Sequence, residues 1–353
     1  MEDCMNLKER VLNRLQGKSV DITPVGSTTT YGCVCFMKGC NVTRPAVDTD
    51  PKALALMALA GHYMGGFDWI KAMGSDITAV SHVLGCEVKS MAQDSPYVIT
   101  SHPYAEKSVD ELDVPDNLLS LGRLPAYKEQ FRILRDYSDV LAIYGASEGP
   151  FTAAANLMDV VNLMRCTIKK PDVVEKILQV TTETLVRFVK FAAENGADYY
   201  TMAEPTTSPD LFSPKFWQRF VAPCIKRIVD ESPIPIVLHI CGKTDPIIGM
   251  MCDTGVTGIS IEEKADMKKA VEIAHAKGVT VFGNVATAST LFTGTPEEVY
   301  AESTAALENG VDFLCPGCGI GPNSPLENII QLRRARDARF DQPIFHPQAT
   351  VSL

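Results

Sequence analysis

Eight short apolar runs, separated by longer amphipathic stretches, constrain this chain more than any other feature. They are ITPVG (22–26), FDWIK (67–71), VLAIYG (140–145), DYYTM (198–202), PIVLHI (235–240), TGISI (257–261), VTVFG (279–283) and VDFLC (311–315). Short buried strands alternating with helical patterns signal βα units and a parallel sheet. Eight is the number that closes a (β/α)8 barrel, so the pattern predicts an α/β fold of that kind, with residues 1–353 as one domain. The clearest helices are 171–194, opening at Pro171-Asp172 and ending at Asn195-Gly196, and 295–309, opening at Thr295-Pro296 with Glu297 and Glu298 in its first turn. Residues 7–16 read as a helix across the barrel floor, 85–104 as a β-hairpin inserted after the second strand, and 27–45 as a long loop suited to lidding a site.

Composition removes several function classes. A net charge of −10 lacks the cationic face that phosphate backbones require, which argues against nucleic acid as a partner. No run approaches the roughly 20 apolar residues of a membrane span. The opening MEDCMNLKER lacks the apolar core of a secretory signal. Eleven cysteines without a small-domain spacing pattern predict reduced thiols and a cytoplasmic protein.

In VLHICGK, His239 and Cys241 are spaced H-x-C, so from an extended strand both side chains leave one face. The later CPGCG adds Cys318. One imidazole nitrogen and two thiolates suit Zn²⁺, and three protein ligands leave a fourth position open, as in catalytic rather than structural zinc sites. Placement supports convergence. Glu148 follows the third predicted strand, Glu204 the fourth, His239 and Cys241 the fifth, Glu262 the sixth, Asn284 the seventh and Cys318 the eighth. Residues at that end of different barrel strands meet at the active-site face. Cys315 and Cys318 form a C-x-x-C, in which Cys315 ends a strand and reads as wall, whereas Cys318 lies in a glycine-rich turn able to swing its sulfur over the mouth. Cys33, Cys35 and Cys40 form a rival cluster with no histidine nearby and read as free thiols.

The chain resembles the uroporphyrinogen decarboxylase superfamily nearly end to end: in LKERVLNRLQGKSVDITPV, EGPFT (148–152), SPDLFSP (208–214), VLHICGK, ISIEEK (259–264) and CPGCGIGPNSPLEN (315–328). It is most similar to the zinc-dependent branch, the methylcobamide:coenzyme M methyltransferases of methanol and methylamine metabolism. That resemblance implies a distorted barrel and makes His239, Cys241 and Cys318 the zinc ligands. The decarboxylases themselves match less well. Ser75-Asp76-Ile77 resembles the position where they hold pyrrole nitrogens with an aspartate, but their arginine-rich M-R-Q-A-G-R-Y segment is replaced by STTTYGCV (27–34), and their G-H-G-I reads Gly317-Cys318-Gly319-Ile320. Carboxylates of a porphyrinogen would find no guanidinium partners there. The zinc site of cobalamin-independent methionine synthase is also similar, and by that likeness Glu262 fills the fourth zinc position until a thiol displaces it, with Glu263 and Lys264 as neighbouring alternatives.

The function implied is transfer of a methyl group from a methylated corrinoid to a thiol, by resemblance coenzyme M, with homocysteine or another thiol as the alternative acceptor and a decarboxylase-like lyase as the alternative reaction. His239, Cys241, Cys318 and Glu262 are the expected catalytic residues, and Asp76, Asn284 and Glu148 the expected contacts to the corrinoid. The cobalamin-binding D-x-H-x-x-G pattern is absent, so the methylcobamide is expected on a separate corrinoid protein. Lys243 and Arg44 are the candidates for holding the acceptor's sulfonate.

Overall fold

The computed structural model describes residues 5–343 and 345–353. Seven parallel strands form one curled sheet in chain order: β1 (Trp69–Lys71), β2 (Ala142–Glu148), β3 (Tyr199–Ala203), β4 (Ile236–Ile240), β5 (Gly258–Ile261), β6 (Thr280–Val285) and β7 (Phe313–Pro316). Each overlaps one of the predicted runs. All are buried on both faces because helices cover the outside and side chains fill the inside, the usual condition of a parallel sheet. The inner face carries aromatic residues: Phe282 stacks on Phe313 with ring centroids 4.0 Å apart, and Tyr144 stacks on Tyr199 at 5.0 Å. Cys315 is fully buried in this inner cluster.

The run at 22–26 does not form the expected strand. It contributes a single parallel bridge, Val25 to Leu314. Two causes are local. Pro24 has no N–H to give a ladder, and the Val25 N–H donates instead to the Asp68 carboxylate at 3.0 Å. The segment still joins the edge strands, because Leu314 N–H reaches the Pro24 carbonyl at 2.9 Å and Asp68 N–H the Val25 carbonyl at 2.8 Å.

Helices follow their end signals. The longest, Pro171–Glu194, has proline in its first turn and Asp172 beside it. Pro296–Glu308 opens with a complete capping box between Thr295 and Glu298. Leu7–Leu15 is capped by Asn6 and buries Val11 and Leu15 in the same inner cluster as Trp69 and Phe313, at the end of the sheet away from the strand C-termini. Within 85–104 only Val88–Lys89 and Val98–Ile99 pair, antiparallel and two residues each. The stretch 27–45 is not all loop: Val34–Cys40 is helical, burying Phe36, Met37 and Cys40 and stopping where Asn41 turns left-handed. No helix among the described residues is long and apolar enough to cross a membrane.

Candidate metal centre

His239 is the penultimate residue of β4 and 2% exposed; Cys241 follows directly after the strand. On the neighbouring strand, Ser260 is in register with His239, and its hydroxyl lies 3.0 Å from the imidazole Nδ1. That contact aims Nε2 at Cys241 Sγ, 3.1 Å away, and Cys241 Sγ is in turn 3.3 Å from Cys318 Sγ. The three ligand atoms all lie within 4.8 Å of one another. Zinc bonds of roughly 2.3 Å to sulfur and 2.0–2.1 Å to nitrogen at tetrahedral angles require S···S near 3.8 Å and N···S near 3.5 Å. The sulfurs need to part by about half an ångström, so the set fits an ion of that size and preference. The hydrogen bond from Cys241 drives the Cys318 thiol well below the ordinary range, and the same bond drives Cys241 up.

Two glycines let the ligand turns approach. Gly242, at φ +85°, follows Cys241, and a Cβ there would fall 2.2 Å from Ser208 Oγ and 2.4 Å from Asp210 Oδ2. Gly317 precedes Cys318, and a Cβ there would fall 2.9 Å from Glu262 Cα and from a Glu263 carboxylate oxygen. The SPDLFSP segment thus clamps the Cys241 turn, and the Glu262–Glu263 segment supports the Cys318 turn.

The three candidate ligands open into a cleft of about 360 Å³ at the C-terminal ends of the strands, lined also by Thr29, Ser75, Asp76 and Tyr97. That volume lies in the range of small-molecule sites. The remaining predicted residues are placed differently. Glu262 is nearly buried, but its carboxylate is outside the three-atom cluster and pairs with Lys264 Nζ at 3.0 Å. Asp76 lines the cleft, yet its oxygens are already engaged by Arg123, the Thr78 N–H at 2.8 Å and the Thr78 hydroxyl at 2.6 Å. Burial works against its charge, but the Arg123 guanidinium prevails and holds Asp76 down at about 2. Glu148 ends β2 with its carboxylate turned to the Ser81 N–H and hydroxyl, at 2.7 and 2.8 Å, and burial pushes it up to about 7. Asn284 is half-buried near the end of β6, outside the cleft lining. Glu204 accepts from Phe151 N–H, Thr152 N–H and the Thr152 hydroxyl, capping the helix Pro150–Met158. Of the two sulfonate candidates, Arg44 is buried against Asp48 at 2.5–2.6 Å, whereas Lys243 is exposed beside the Cys241 turn.

Sequence reasoning missed Ser260, Arg123 and the clamp by Ser208 and Asp210. Ser260 left a signal, as the one hydroxyl in the otherwise apolar GISI strand. Arg123 left none, since it meets Asp76 from 47 residues away.

Comparison with known proteins gives a consistent result. The family model for uroporphyrinogen decarboxylase (URO-D) matches residues 6–339. A methylcobamide:CoM methyltransferase, MtaA of Methanosarcina barkeri, is 36% identical over 339 residues, covering 95% of this chain and 98% of the relative. A second, MtbA of Methanosarcina mazei, is 31% identical, covering 91% of this chain and 95% of its own. A solved methyltransferase from Methanosarcina mazei superposes with a TM-score of 0.91 at 36% identity, covering 95% of this chain and 99% of that one. With family model, relatives and solved structure in agreement over nearly the whole length, the chain belongs to the uroporphyrinogen decarboxylase (URO-D) family.

Proposed function

We propose that this protein is a zinc-dependent methyltransferase that moves a methyl group from a methylated corrinoid, carried by a separate protein, to the sulfur of coenzyme M. The observation that carries this reading is the convergence of His239, Cys241 and Cys318 in the lining of one cleft. The relatives are named for the same donor and acceptor. His239 Nε2, Cys241 Sγ and Cys318 Sγ would hold the ion, with Glu262 as the carboxylate of the fourth position. When bound, zinc supplies a substrate thiolate at neutral pH, where a free thiol of pKa near 8.5 is mostly protonated.

The chain's own groups do the rest. Ser260 accepts the Nδ1 proton of His239, leaving Nε2 bare as a donor atom. Two cysteinates, rather than neutral ligands, leave electron density on the third sulfur. The cleft lined by these residues would let a bound thiolate face its mouth, so that docking of the donor would replace a bimolecular search. The C–S bond forms as the Co–C bond breaks, its electron pair stays on cobalt, and the thiol proton goes to solvent. Both Asp76 oxygens already take donors from Arg123 or Thr78 rather than facing a substrate alone, which disfavours the lyase alternative. We also read the segment at Val25, which forms no strand of its own, as closing a (β/α)8 barrel between β7 and β1, the short antiparallel pair as its inserted hairpin, residues 1–353 as one domain, and the free thiols as those of a cytoplasmic enzyme.

The test is to mix zinc-loaded protein with methylcobalamin and coenzyme M. Methyl-coenzyme M and a Co(I)/Co(II) absorbance change are expected, faster with a cognate methylated corrinoid protein. Homocysteine in place of coenzyme M resolves the acceptor, and uroporphyrinogen tests the lyase. No thiol methylation from either donor would overturn the assignment.

A further inference from the structure

Glu262 lies on the short segment after β5, against the glycine turn that carries Cys318, with its side chain 10% exposed. Its carboxylate nevertheless sits on Lys264 Nζ at 3.0 Å and not among the three ligand atoms. Lys264 is half-exposed, and the carboxylates that act on it besides Glu262 are Asp210 and Glu263. Charge balance gives the pairing a purpose. Two cysteinates already neutralise a doubly charged ion, so a substrate thiolate takes the centre to −1, and a free Glu262 carboxylate beside it adds a second negative charge. Such charges at a few ångströms repel strongly where solvent is partly excluded.

We propose that Lys264 is a positioning residue that receives the Glu262 carboxylate and holds it off the fourth metal position, so that a substrate thiol takes that position instead. This rests on the zinc-thiol reading above. Glu262 has two places, the ion or Lys264, and the lysine sets the balance between them. Without the ammonium, the carboxylate competes with the thiol for the ion. The effect requires Glu262, which separates it from simple attraction between Lys264 and an anionic substrate.

The test uses the full chain loaded with Zn²⁺, its metal content measured first, and two thiol probes: coenzyme M and the uncharged 2-mercaptoethanol. Wild-type protein that holds zinc but shows no added sulfur by X-ray absorption with either thiol would defeat the zinc-thiol reading itself. Given thiol binding, Lys264→Met is expected to keep its zinc, to retain an oxygen ligand at thiol concentrations that remove it from wild type, and to bind both thiols about fivefold more weakly, as suits a half-exposed pair. In a Glu262→Gln background the same lysine change is expected to do nothing further. Equal losses in both backgrounds, a loss confined to coenzyme M, or an unchanged Lys264→Met would each overturn the proposal.

Discussion

Replacing Ser260 by alanine isolates the orientation of one ligand. Its hydroxyl is fully buried and meets His239 Nδ1 at 3.0 Å, with the imidazole itself 2% exposed. With the hydroxyl present, Nδ1–H has an acceptor and Nε2 is free to bind a metal. Without it, the ring either buries an unpaired Nδ1–H, at a cost of about 1–3 kcal/mol, or moves its proton to Nε2, where Cys241 Sγ at 3.1 Å accepts it. The second tautomer cannot bind an ion at Nε2. Either route weakens metal binding by about 10–100-fold, the usual cost of losing a partner behind a ligating histidine. Competition against a chelator of known affinity measures the loss, and imidazole ¹⁵N shifts report the tautomer directly. Ser260→Thr keeps a hydroxyl in a strand that tolerates β-branching and is expected to recover most of the affinity. If Ser260→Ala binds zinc as tightly as wild type with the proton still on Nδ1, the reasoning is wrong.

Other outcomes follow from the same geometry. Cys318→Ala and His239→Ala should each lose most bound zinc while Cys315→Ala keeps it, by metal analysis after dialysis, since Cys315 lies in the inner aromatic cluster. Gly242→Ala should destabilise the fold by about 1–3 kcal/mol and loosen the metal, because a Cβ at φ +85° meets Ser208 and Asp210; unchanged melting and zinc content would refute the clamp. Glu148 has a folded pKa raised to about 7 from an ordinary 4.5, by burial first. The folded state therefore binds the extra proton, and the stability it confers is present below pH 4.5 and lost as pH rises through 7. Glu148→Gln should flatten that decline by up to about 3 kcal/mol between the two limits, and denaturant unfolding at pH 5 and pH 8 that shows parallel curves would refute it.

Elements whose evidence is local were legible in the sequence. The seven strands and the long helices carry their apolar period and end signals within a few residues of themselves, and H-x-C carries its own geometry. What the sequence left open was the choice of partner, which no local pattern states. Val25 reads as part of a strand until Asp68 takes its N–H. Asp76 lines the cleft as its position suggests, and the sequence does not tell that Arg123 and Thr78 also meet its oxygens. Arg44 reads as a free cation until Asp48 meets it inside a helix that 27–45 was not expected to lead into. Glu262 reads as a ligand from its position after a strand, and nothing in ISIEEK tells which neighbour its carboxylate prefers.

The join at Val25 bears on how the molecule is made. Between β1 and β7 the sheet relies on one bridge, and Asp68 beside it is held by Arg333 at 2.7 Å and Arg336 at 2.9 Å, with Arg336 also donating to the Thr23 carbonyl at 2.7 Å. Those arginines lie in the helix Leu326–Arg339, more than 260 residues after Asp68. During synthesis the strands can align in order as they emerge, but the buried Asp68 carboxylate lacks Arg333 and Arg336 until that helix leaves the ribosome. The last helix is the fastener of the first strand. Hydrogen exchange should find the Val25–Asp68 amides among the earliest to open when Arg336 is replaced, and a nascent chain arrested before residue 326 should remain sensitive to protease.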